Sequence, residues 1–167
     1  MTMVSVKLVG VGANWTKPCQ QAVTDLNHLF KRSDIKVVLA MNGSQGPTIT
    51  VKTDATIQGD AVHGRTTSES NASGELLRAE VRLPVKITIN TPQGVRDAGP
   101  GVLEVIAGHE FVHALGHGSH NSQLMGQTMY KEIGDSPAGD KLKAGSVKMP
   151  PLMLSAQSIS DLKAIWN

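Results

Sequence analysis

Cysteine is almost missing from this chain. Cys19 stands alone among 167 residues, so no disulfide can close within it. Folding therefore does not depend on an oxidising compartment. Aromatic residues are nearly as scarce, at 3%. The core must come from Val, Ile, Leu, Met and Ala, and a hydrophobic content of 40% supplies it. Charge is close to balanced, formally +2, which argues against a dedicated nucleic-acid binder. No apolar run approaches the ~20 residues of a membrane span. Met1 to Gly10 offers no basic start, no long apolar stretch and no clear cleavage site, and does not read as a signal peptide. An exported form would need a signal already removed, or another route. The length suits one domain over residues 1–167.

What the chain does have is histidine in one place. Four of its six histidines fall in twelve residues, His109 to His120. The stretch opens His109-Glu110-Phe111-Val112-His113. On a helix, residues four apart share a face, one turn above the other. His109 and His113 can then offer two imidazoles to one metal ion. Glu110 can reach a water on that metal without being a ligand itself. A catalytic zinc takes three protein ligands and keeps one position open, and His120 is the first candidate for the third. Val102 to Gly108 leads in with an apolar helical stripe, so the histidines fall on a helix that can be buried. Gly116 follows His113 by three residues, where a chain leaving a helix sharply needs a residue tolerant of positive φ.

Around this stretch the pattern alternates between strand and helix. Val4 to Val11 reads as a strand. Lys17 to Lys31 reads as a helix, with Thr16 as N-cap and Pro18 in the first turn. Ile35 to Met41 is an apolar strand long enough to be buried on both faces, and Thr48 to Thr53 is a third strand. Asp54 to Gly74 is polar and reads as a short strand at Ala55 to Ile57 followed by a loop. Leu76 to Leu83 and Val85 to Asn90 form one strand bent at Pro84, or two; the proline favours a sheet edge. Thr91 to Gly101 is turn-rich. After the histidines, Gln127 to Ile133 reads as a short helix. Ser158 to Asp161 reads as a capping box for a closing helix that buries Leu162, Ile165 and Trp166.

Val105 to His117 resembles the active-site helix of the matrixins, within the metzincin clan of zinc metallopeptidases. Leu124-Met125 is similar to the family's Met-turn. Ser158 to Trp166 resembles its last helix. The likeness implies an α+β, zincin-like domain over residues 1–167. It would have a mixed sheet with an edge strand along the cleft, an N-terminal helix, an active-site helix and a C-terminal helix. It implies a zinc cofactor, His109 and His113 as ligands, Glu110 as general base, a methionine beneath the metal, and hydrolysis of a protein or peptide substrate. The family spacing puts the third ligand at Ser119, whereas the histidine here is His120. Gly116 and Gly118 allow a loop one residue longer. Glu132 and His117 are the alternatives for that ligand, and Met129, Met149 and Met153 the alternatives to Met125. The substrate is expected to lie extended along an edge strand within Leu76 to Asn90.

Other residues carry ordinary readings. Lys17-Pro18-Cys19 is similar to the inhibitory motif of matrixin pro-segments, but at a helix start it reads as a plain thiol. Tyr130 reads as packing, His28 as a solvated helix position, and Asp60 and His63 as loop residues. Two further functions fit the same residues: a zinc-stabilised binding module without turnover, and an effector protease with one folded protein target.

Overall fold

The computed structural model describes residues 1–58, 64–91, 94–117 and 152–167. In chain order the elements are β1 (Thr2–Leu8), α1 (Ala13–Arg32), β2 (Val37–Met41), β3 (Thr48–Thr53), β4 (Arg65–Ser70), β5 (Leu76–Leu83), β6 (Thr88–Thr91), β7 (Gly94–Asp97), α2 (Pro100–Ala114) and α3 (Ala156–Ile165). The five-stranded sheet has the order β2-β1-β3-β5-β4. All neighbours are parallel except β4, which runs antiparallel to β5 at the sheet's end. β6 and β7 form a separate hairpin. The class is α+β with a mixed sheet, and no described helix is long and apolar enough to cross a membrane.

Strand alternation explains the two layers. Val4, Val6, Ile49, Val51, Val81 and Leu83 are buried and join one core with Trp15, Leu26 and Phe30 of α1 and Ile106 and Phe111 of α2. Several of their neighbours along β3 and β5 are charged and pair on the opposite, wetter face. Lys52 meets Glu80 at 2.8 Å and Arg78 meets Glu69 at 2.8 Å. Such exposed pairs contribute little stability, so burial on the helix side holds the sheet.

Several expectations need correcting. α1 starts at Ala13 behind Gly12, so Thr16 is not its cap; Thr16 and Pro18 lie inside the helix. β2 was expected to be covered on both sides, yet it is the sheet's outer strand, and only Val37 and Leu39 are buried. Its ladder is occupied at one point by a side chain. The Asn27 amide donates to the Leu39 carbonyl and accepts from the Leu39 N–H, both at 2.8 Å. Ala55 to Ile57 is a turn, and the polar stretch expected to be loop contains β4. The run from Leu76 to Asn90 is two strands in two sheets, β5 and β6. Pro84 does not bend a strand but ends one, and its carbonyl accepts the buried Trp15 Nε1–H at 2.7 Å. α3 is capped by Ser155, whose hydroxyl accepts from the Ser158 N–H at 3.1 Å; Ser158 is not the cap.

Two titratable groups are shielded from water by the packing, Glu104 in part and Cys19 wholly. Glu104 on α2 is pushed up to about 8, first by burial and then by the Asp25 carboxyl on α1. Cys19 is fully buried in α1, and burial pushes its thiol from 9.0 up to about 12. A thiol that stays protonated is a poor nucleophile. The folded chain should therefore leave Cys19 unmodified by a thiol-reactive dye at pH 8, and unfolded chain should react fully. Between pH 9 and about 12 the unfolded chain gives up this proton while the folded chain keeps it, so rising alkali favours unfolding over that window. Rapid labelling of native protein would refute the burial.

Candidate metal centre

The histidine-bearing helix α2 is apolar on nearly all sides, as expected of a helix packed within a core. From Val105 to Ala114 every residue is buried except His109 and His113, which are partly exposed. Gly99 and Pro100 open the helix, with Pro at the first helical position, where its missing N–H costs nothing. The helix stops as the sequence predicts. Gly116 takes φ +106°. Its N–H donates to the His113 carbonyl at 2.9 Å, and the His117 N–H donates to the Val112 carbonyl at 3.3 Å. These two bonds form the Schellman arrangement that closes a helix through a left-handed residue.

One turn apart on this helix, the two imidazoles converge. Their Nε2 atoms are 2.9 Å apart, and the rings stand nearly perpendicular at 86°. The His113 Nδ1 lies 2.6 Å from the His117 carbonyl oxygen. A carbonyl only accepts, so Nδ1 carries the proton. In neutral His113 the Nε2 is then a lone pair, 2.9 Å from His109 Nε2 and placed to accept a hydrogen bond from it. That is the protonation state a metal ligand needs, fixed by the outer hydrogen bond that such ligands commonly make. Two nitrogens ~2.1 Å from one zinc ion stand roughly 2.9 to 3.4 Å apart for ligand angles from a right angle to tetrahedral. The observed 2.9 Å corresponds to a ligand angle near a right angle, so the two nitrogens would have to separate by a few tenths of an ångström to hold a tetrahedral ion.

Glu110 follows His109 but points into the protein. It is only 5% exposed. Its Oε2 accepts from the Thr66 hydroxyl of β4 at 2.5 Å. Gly64, just before β4, lies so close that a Cβ there would come within 2.8 Å of the Glu110 carboxyl carbon and Oε1. Burial pushes this carboxyl above its ordinary range, and the Thr66 hydroxyl pulls part of the shift back. A carboxyl that holds its proton more tightly than usual suits a group that takes a proton and returns it.

The remaining site residues divide sharply. His117 is buried, and its Nε2 lies 3.4 Å from Asp161 Oδ2 on α3, without hydrogen-bond alignment and with no other hydrogen-bond partner among the described residues. No group of three His, Cys, Asp or Glu able to hold a metal converges among the described residues, so His117 does not join the His109–His113 pair. Met153 is 57% exposed, which does not suit a methionine packed under a metal. His28 is exposed, as expected. His120, Glu132, Met125, Met129, Met149, Tyr130, Asp60, His63 and the expected helix from Gln127 to Ile133 lie outside the described residues. Sequence reasoning missed Thr66 and Gly64, 44 and 46 positions before Glu110; nothing local to either signals the contact. No protein-family model matches the chain, and no curated protein matches it.

Proposed function

We propose that the chain is a zinc-dependent endopeptidase of metzincin-like fold, with His109, His113 and His120 as ligands and Glu110 as general base. The observation that carries this reading is the 2.9 Å convergence of two imidazole nitrogens, one of them left as a lone pair by its bond to a backbone carbonyl. The element order supports the fold: a mixed sheet with one antiparallel edge strand, an N-terminal helix, the histidine helix and a closing helix. Zinc, when bound, would polarise the scissile carbonyl and acidify a water. Glu110 then takes a proton from the attacking water and delivers it to the leaving amine. Its buried carboxyl is suited to both transfers.

The substrate strand differs from the one the sequence suggested. β5 is flanked on both sides by β3 and β4, so a peptide cannot add to it. β4 lies at the end of the sheet, and its Thr66 touches Glu110. A peptide extended along β4 would pair backbone to backbone and pass the general base.

The test is cleavage of an unfolded protein by purified chain. Activity should vanish with a chelator and return with zinc. Zinc-loaded, folded protein that cleaves neither unfolded protein nor a peptide library would defeat the reading. The enclosure of Glu110 by Thr66 and Gly64 favours one second reading, a zinc-stabilised binding module. That module would hold zinc just as well and never turn over.

A further inference from the structure

The turn that closes α2 is gripped by the last helix. The Trp166 indole N–H donates to the Leu115 carbonyl at 2.8 Å across a buried contact. A Cβ on Gly116 would come within 3.2 Å of Ile165 Cδ1, so α3 packs against the turning residue itself. Next in line, His117 is 3% exposed with its Nε2 facing Asp161. The other Asp161 oxygen, Oδ1, accepts from Gln157 Nε2 at 2.7 Å, which fixes the carboxylate on its own helix. The contact is a charge–dipole one at 3.4 Å rather than a hydrogen bond, and it favours the Nε2–H form of the ring, which turns a positive edge toward the carboxylate. The His117 carbonyl, on the same residue, is the acceptor that fixes His113.

We propose that Asp161 is a positioning residue for His113, acting from the C-terminal helix. Its carboxylate attracts the buried His117 ring across 3.4 Å, the ring carries the His117 backbone with it, and that carbonyl sets the tautomer and direction of the His113 imidazole. The inference takes His113 as a metal ligand from the reading above, but its first readout needs no metal. In this way α3, more than 40 residues beyond the histidine pair in sequence, becomes part of the support for that pair.

The test compares wild type, Asp161→Ala and Ser160→Ala; Ser160 is exposed on the same helix. Long-range proton–nitrogen NMR of the metal-free chain reads the His113 tautomer. Wild type and Ser160→Ala should show the Nδ1–H form. Asp161→Ala should show a mixture with the Nε2–H form, and its zinc affinity, by competition with a chromophoric chelator, should fall about tenfold. An unchanged His113 tautomer in Asp161→Ala overturns the proposal, as does undiminished affinity in a protein whose wild type binds zinc. If Asp161→Ala loses α3 by circular dichroism, Asp161→Asn keeps the volume, removes the charge and is judged by the same criteria. A tautomer change in a chain that binds no zinc at all sinks the endopeptidase reading and leaves this positioning role standing.

Discussion

Glu110→Ala is expected to lower peptide cleavage by about 10²- to 10⁴-fold, the range that a positioned acid or base contributes, while the chain still binds zinc. The two effects separate because the carboxyl is not one of the paired ring nitrogens and bonds instead to Thr66 of β4. Removing it leaves His109 and His113 with the same backbone, the same helix and the same His117 carbonyl behind His113. Zinc content by elemental analysis and turnover on an unfolded substrate are the two measurements. Full turnover in the variant means that some other group moves the proton. Loss of zinc along with activity means that the carboxyl serves the metal rather than the water.

Gly64→Ala should cost nearly as much activity with little cost in stability. The added methyl would come within 2.8 Å of the Glu110 carboxyl, so one of them must move. The obstacle is the Glu110 side chain from Cγ to the carboxyl, which gives way more cheaply than backbone. Misplacement of a reacting group by ~1 Å can cost about 100-fold in rate. We expect a loss of that order in kcat, an unchanged melting temperature and unchanged zinc content. If kcat is intact, the carboxyl has room to adjust and the contact with Gly64 does not set its position. If instead the melting temperature collapses, the site cannot absorb a methyl group.

Much of the frame was readable from residue order because burial there follows a regular period. β3 was expected over Thr48 to Thr53 and is found there, since Ile49 and Val51 alternate with polar neighbours. The helix stop at Gly116 followed from one residue's tolerance for positive φ. β4 was missed for the opposite reason. Arg65 to Ser70 is an end strand exposed along almost its whole length, so it carries no apolar alternation, and only its two threonines hint at extended chain. Pro84 misled because a proline near a strand marks either an edge or an end; here it ends β5 in the interior of the sheet. The cap of α3 was misplaced among several nearby serines that share one chemistry. At the site, helical spacing brought out His109, Glu110 and His113, but apart from the His117 carbonyl the contacts around them come from far along the chain. Thr66 reaches Glu110 across the sheet, and α3 closes on the turn after His113.

The bond between Asn27 and Leu39 makes the molecule lopsided toward other chains. A strand approaching β2 from outside finds the middle of its ladder already taken by a carboxamide that imitates a neighbouring backbone. Copies of the protein are thereby discouraged from zipping together along that flank, whereas no such carboxamide bond is seen among the described residues at the opposite margin, where Arg65 to Ser70 lies.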